Sequence, residues 1–268
     1  MNRIDAAFAR LKEKGGTALI PFLTVGDPDL RTTIEIIKTL EKAGADIVEL
    51  GVPYSDPLAD GPVIQRASER ALKHRITLAH CMQAAADARS AGVELPFILF
   101  SYYNPVLQFG LDRFFEEVKA KDISGLIIPD LPIEEDGEVR SRAEAAGVHL
   151  IPLVAPTSNE RIARIAGNAR GFVYCVSSLG VTGVRSDFHR DIDQFLASVK
   201  QAANVPIAIG FGISTREQVE RFSAWCDGVV VGSALVRQIE EAIPQLTSEA
   251  EREQGLARIG EFIRELKG

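Results

Sequence analysis

Two acids lie where apolar sequence leaves little room for them. Glu49 stands in the run Ala45-Asp46-Ile47-Val48-Glu49-Leu50-Gly51-Val52-Pro53. A carboxylate in such a run either points to solvent, paired with a helix Lys or Arg, or stays inside at a desolvation cost. At the top of a strand an inward Glu would face a pocket, and burial would raise its pKa into the general acid/base range. Asp60 follows eleven residues later, after a connection (residues 52–59) too long and too apolar for a plain turn. Asp60-Gly61-Pro62 also reads as a helix start, so a capping role stands beside a catalytic one for Asp60. Asp56, a third acid nearby, could order the loop or meet a partner.

A second pattern suits a small anion. The sequence Ser177-Ser178-Leu179-Gly180-Val181-Thr182-Gly183-Val184-Arg185 is rich in small residues, as a lid over a site would be. Two further apolar runs end in Gly210-Phe211-Gly212-Ile213-Ser214 and in Val231-Gly232-Ser233-Ala234. Glycines there let backbone N–H groups approach an anion, and a short helix starting at Ser233 would aim its positive end at it. The ordinary alternative is that these glycines serve tight turns.

Absent residue types narrow the chemistry. Each of the nine lysines (12, 14, 38, 42, 73, 119, 121, 200, 267) falls in an expected helix or flanking turn. A Schiff-base mechanism wants a Lys at a strand end. The four histidines (74, 80, 149, 189) form no HxH or HExxH pattern, so a metal-assisted route lacks its ligands. Proton transfer by carboxylates remains.

The elements that must position these groups follow from periodicity. Eight short apolar runs (18–26, 45–53, 96–103, 125–132, 148–156, 171–178, 206–212, 227–234) alternate with amphipathic segments. The runs are nearly continuous Val, Ile, Leu and Phe, which suits parallel strands covered on both faces. Asp27 and Pro28 read as an N-cap and first helical residue, followed by Leu30, Ile34, Ile37 and Leu40 at helical spacing and stopped by Gly44. Glu134-Glu135-Asp136 reads as the acidic first turn of a helix that ends at Ala146-Gly147. Eight βα units indicate an α/β fold, a single (β/α)8 TIM barrel, with an extra N-terminal helix (about 3–13) and a charged C-terminal helix (about 248–266). No linker or low-complexity stretch divides residues 1–268, so one catalytic domain is expected. In such a barrel the chemistry sits at the C-terminal ends of the strands.

Composition sets the outer bounds. Hydrophobic residues make up 46 % and charged residues 25 % of the 268, ordinary values for a globular protein. A net charge of −7 argues against nucleic acid or an anionic membrane as the main partner. The first sixteen residues carry charges throughout and lack the apolar core of a signal peptide, and no run reaches the roughly 20 apolar residues that a membrane span needs. Cys81, Cys175 and Cys226 are odd in number and far apart, which suits buried thiols in a reducing compartment. A cytoplasmic location is the expectation.

The segment Glu49-Leu50-Gly51-Val52-Pro53-Tyr54-Ser55-Asp56-Pro57-Leu58-Ala59-Asp60-Gly61-Pro62 resembles the signature of the tryptophan synthase alpha chain family. So do Pro21-Phe22 with Thr24-x-Gly26-Asp27-Pro28, Tyr103-Asn104-Pro105, Pro129-Asp130-Leu131-Pro132, Gly180-Val181-Thr182-Gly183 and Gly210-Phe211-Gly212-Ile213. The resemblance spans essentially the whole chain. It implies a carbon–carbon lyase that cleaves indole-3-glycerol phosphate to indole and glyceraldehyde 3-phosphate in tryptophan biosynthesis. It also implies roles. Glu49 would be the acid/base, and Asp60 would accept the indole N–H and stabilise positive charge on the ring. Phe22, Ile64 and Phe100 would line the indole pocket, and Tyr174 and Thr182 would hold the lid and the carboxylates in register. Gly183, Gly212, Gly232 and Ser233 would bind the phosphate, largely through backbone N–H groups.

No cofactor is implied for this chain. The implied partner is the pyridoxal-phosphate-dependent tryptophan synthase beta chain, in an alpha2-beta2 heterotetramer. Val106, Leu107 and Phe109, in the connection after the third run, offer apolar surface for it, unless they cover the barrel end internally. Two rival readings remain. One is another phosphosugar barrel, such as indole-glycerol-phosphate synthase or an isomerase, and the missing strand-end lysines count against the synthase. The other is a subunit that only activates a partner, which the presence of both acids and the glycine-rich loops disfavours.

Overall fold

A computed structural model describes residues 1–176, 192–210 and 212–268. Among them are nine parallel strands and twelve helices. The strands are β1 (Ala18–Thr24), β2 (Val48–Gly51), β3 (Phe97–Phe100), β4 (Gly125–Ile127), β5 (His149–Leu150), β6 (Leu153–Val154), β7 (Val173–Val176), β8 (Ile207–Gly210) and β9 (Gly228–Val231). They are ordered β5-β4-β3-β2-β1-β9-β8-β7-β6.

The two ends of that order are consecutive in the chain. The run expected as one strand over 148–156 is β5 and β6, separated by Ile151 and Pro152. The Ile151 N–H donates to Leu126 on β4, and the Pro152 carbonyl accepts from Tyr174 on β7. One chain segment therefore pairs with both edges and closes the ring. The nine short strands fill eight barrel positions, as the eight runs predict. Proline lacks an N–H to donate, so it interrupts the ladder where it falls.

Side chains divide between two cores. Outward-facing strand residues pack with the helices, as Leu19, Val48, Leu50, Leu99 and Val229 do. Inward residues, including Ile20, Phe22, Ile98, Phe100, Ile127, Ile151, Tyr174, Ala208 and Val230, fill the barrel. Helix α1 (Arg3–Glu13) supplies Ile4, Ala7, Phe8 and Leu11 to this inner core and so plugs the N-terminal end; its Phe8 ring meets Phe172 at 5.5 Å.

Several local expectations change. The cap of α2 (Leu30–Lys42) is Asp29, whose side chain accepts from the Thr32 N–H, so Asp27 does not cap this helix. The carboxylate of Asp27 instead meets Arg70. The acids 134–136 form a turn ahead of α7 (Gly137–Ala146), which ends as predicted at a left-handed Gly147. The segment after β3 is a helix, α5 (Tyr103–Phe109), in which Val106 is buried, Phe109 is partly buried and Leu107 is exposed. The helix at Ser233 is long rather than short: α11 runs Ser233–Thr247, and α12 (Arg252–Lys267) closes the chain. All three cysteines are buried and free. No helix among the described residues is long and apolar enough to cross a membrane.

Candidate active site

Parallel pairing puts the first acid inside. Phe22 on β1 is the register partner of Glu49 on β2, which pairs in turn with Ile98 on β3. Partners across a parallel pair share a face, and Phe22 and Ile98 belong to the barrel interior. Glu49 is therefore inward, 1 % exposed, and not the outward, ion-paired glutamate of the alternative reading. Its Oε1 has no hydrogen-bond partner among the described residues. With burial the cause, its pKa rises from an ordinary 4.5 to about 8.

Asp60 reaches the same cleft from above. It precedes α3 (Pro62–Lys73), whose cap residue is Gly61 and which has Pro62 in its first turn. The cap position falls to Gly61, which has no side chain to cap with, and Asp60 is engaged by Tyr102 rather than in the capping role its sequence suggests. Burial raises its pKa from 3.8 to about 6, while a hydrogen bond from the Tyr102 hydroxyl opposes the rise. That hydroxyl also accepts the Ala59 N–H at 2.9 Å, which fixes the loop end beside the acid. Tyr102 stacks on Tyr54 with centroids 5.0 Å apart. The two carboxyl groups thus differ at neutral pH: Glu49 is mostly protonated and Asp60 mostly ionised. Paired acids held in different states are what proton transfer beside charge stabilisation requires.

A cleft of about 400 Å³, counting its open mouth, is lined by Phe22, Glu49, Asp60, Ile64, Phe100, Tyr174, Gly212, Val230, Gly232 and Ser233. Nine of these are residues singled out in the sequence, and they come from both sides of the ring. Phe22 and Phe100 meet edge to face at 5.6 Å and make a flat apolar wall. Tyr174 is buried beside Glu49, and burial followed by the Glu49 charge pushes its phenol upward. Thr182 and Gly183 lie outside the described residues. Asp56 is exposed and lines no part of the cleft.

Gly232 and Ser233 form the cleft-facing start of α11, whose cap residue is Gly232 and which has no side-chain cap. The first-turn N–H groups of a helix have no partner within the helix, so this end suits an anion. Gly210 has a different task from the one its motif suggests. A Cβ there would stand 2.3 Å from the Tyr174 hydroxyl, so the glycine makes room for that ring.

Sequence reasoning missed Tyr102. The available signal was its place just past β3, at the strand end where barrel chemistry gathers. Tyr103 carries the motif it begins: its N–H donates to Asp130 at 2.9 Å, so Asp130 satisfies the start of α5.

The sequence profile of the tryptophan synthase alpha chain family matches residues 8–267. The chain belongs to that family. A tryptophan synthase alpha chain from Geobacillus sp. (strain WCH70) is 53 % identical over 247 residues, covering 92 % of this chain and 94 % of the relative. One from Halalkalibacterium halodurans is 48 % identical over 266 residues, covering 99 % of each. Among solved structures, a Mycobacterium tuberculosis tryptophan synthase chain matches with a TM-score of 0.88 at 34 % identity, covering 99 % of this chain and 97 % of that one. The tryptophan synthase subunit alpha of Legionella pneumophila matches with a TM-score of 0.87 at 35 % identity, covering 100 % and 97 %. These are tryptophan synthase alpha-family (β/α)8 barrels, and this chain shares their fold end to end.

Proposed function

We propose that this alpha chain cleaves indole-3-glycerol phosphate to indole and glyceraldehyde 3-phosphate, with Glu49 moving the proton and Asp60 carrying the counter-charge. The observation that carries the reading is the pair of buried acids in one cleft, with pKa values near 8 and 6.

Protonated Glu49 donates to the ring carbon that bears the glycerol chain. The ring becomes an iminium-like cation whose N–H faces ionised Asp60, and attraction in a water-poor site lowers the barrier. Glu49, now a carboxylate, takes the proton of the adjacent carbinol hydroxyl. The oxygen lone pair forms the aldehyde, the carbon–carbon bond breaks, and its electrons return to the ring and restore indole. Glu49 ends protonated, ready for another turn. Phe22, Ile64 and Phe100 hold the ring, Tyr174 and Thr182 keep the catalytic carboxylates in register, and Gly183, Gly212, Gly232 and Ser233 bind the phosphate.

The full chain 1–268 acts as one catalytic barrel in the cytoplasm, and its partner is the tryptophan synthase beta chain in an alpha2-beta2 assembly. The exposed side chains of Leu58 and Leu107, both on the C-terminal face of the barrel, support a docking surface there. A steady-state assay on indole-3-glycerol phosphate, with and without the beta chain, tests both parts. Indole release that rises when the beta chain is added is the expected result. No release sinks the activity, and unchanged release with no co-elution sinks the partner.

A further inference from the structure

One guanidinium ties three walls of the cleft together from behind. Arg70 lies nine residues beyond Gly61 on α3, about 14 Å along the helix axis. Its Nε and Nη2 donate to the two oxygens of Asp27 at 2.8 Å each, and its Nη1 donates to Oε1 of Glu240 at 2.7 Å. Glu240 is itself gripped by the fork of Arg66, at 2.8 Å on each oxygen. Asp27 follows β1, which carries Phe22. Arg66 and Arg70 belong to the helix that follows Asp60 and carries Ile64. Glu240 sits on α11, which begins at Ser233.

The geometry favours positioning over simple stabilisation. A buried ion pair repays its desolvation poorly as a stability device. A two-pronged guanidinium–carboxylate contact, however, fixes angle as well as distance. Asp27 is 3 % exposed, so this contact is well shielded, whereas Arg66 is half-exposed. Among the described residues, helix α3 makes its main contacts with β1 and α11, while α4 (Leu78–Ser90) packs over β2 and β3. Pinning the far part of α3 therefore sets how its near end, with Asp60 and Ile64, stands over Glu49. A displacement of about 1 Å at a reacting group can cost about a hundredfold in rate.

We propose that Arg70 is a positioning residue for the cleavage: by holding Asp27 and Glu240 together, it fixes α3 so that Asp60 stays aimed at the bound ring. This rests on the role given above to Asp60, and the test separates the two. In the full chain, Arg70→Lys keeps a positive charge but loses the fork, and Glu240 keeps its Arg66 contact, so α11 stays held. With indole-3-glycerol phosphate, kcat should fall roughly tenfold while KM stays within about twofold, the signature of an interaction used in the transition state. In an Asp60→Asn background the same change should cost little more, because its effect passes through Asp60. A neutral pair, Asp27→Asn with Arg70→Gln, avoids a stranded buried charge and should repeat this pattern. An equal fold-loss in both backgrounds, or a lower Tm with kcat and KM unchanged, overturns the proposal. Failure of the unmodified chain to release indole overturns it together with the assigned activity.

Discussion

Phe22 and Glu49 are register partners across the β1–β2 pair, so an aromatic ring and a carboxyl group lie side by side on the inner face of the barrel. The aromatic neighbour is part of what makes Glu49 an acid. Water is kept from the carboxylate, the charged form loses its solvation, and the proton stays on at neutral pH.

That burial has a measurable sign. The folded chain holds the Glu49 proton up to about pH 8, while the unfolded chain releases it near the ordinary 4.5. Between these values the folded state binds more protons, so stability from this group is present at low pH and is lost as pH rises toward 8. Glu49→Gln, which cannot ionise, should therefore gain stability over the unmodified chain as pH goes from 5 to 8, by an amount on the order of a few kcal/mol. Indole formation should be nearly abolished. Thermal melts at both pH values and an indole assay check this, and a Gln variant that cleaves normally would remove Glu49 from the mechanism.

The activity should show a bell-shaped pH dependence of kcat/KM, with limbs near 6 from Asp60 and near 8 from Glu49. The substrate phosphate also ionises at about 6, and Tyr102→Phe tells the two apart. The Tyr102 hydroxyl favours the charged form of Asp60, so its loss should move the acid limb to higher pH. A limb belonging to the phosphate would stay where it is.

Gly210→Ala tests the space that Tyr174 needs. The added methyl would meet the phenol hydroxyl at 2.3 Å and ring carbons at 2.6 Å, so the ring must turn or the strand must shift. Overpacking of this sort costs about 1–3 kcal/mol. Indole release should drop with it, because Tyr174 packs on the wall beside Glu49. Partial recovery of activity on adding Tyr174→Phe, which removes the nearest atom, would confirm the cause; no interaction between the two changes would refute it.

Much was legible before any coordinates. The eight apolar runs, the helices at either end, the absence of strand-end lysines and the glycine-rich strand ends are local patterns, and local spacing of polar and apolar residues is what a linear sequence records. Glu49, Asp60 and the strand-end Gly212, Gly232 and Ser233 stand out by type and place, whereas Phe22, Ile64, Phe100 and Tyr174 were reached only through the family resemblance; these nine of the eleven candidates meet in the cleft. What sequence alone left open was every relation between distant parts. Tyr102 reaches the Asp60 loop across 43 positions, and Arg70 reaches Asp27 across another 43. Asp27 looked like a helix cap and became an ion-pair partner, because a buried carboxylate takes the strongest donor that the fold brings to it. The difference between the two acids was likewise decided by tertiary structure. A carboxyl group's charge depends on how much water surrounds it, and only the closed barrel fixes that for Glu49 and Asp60.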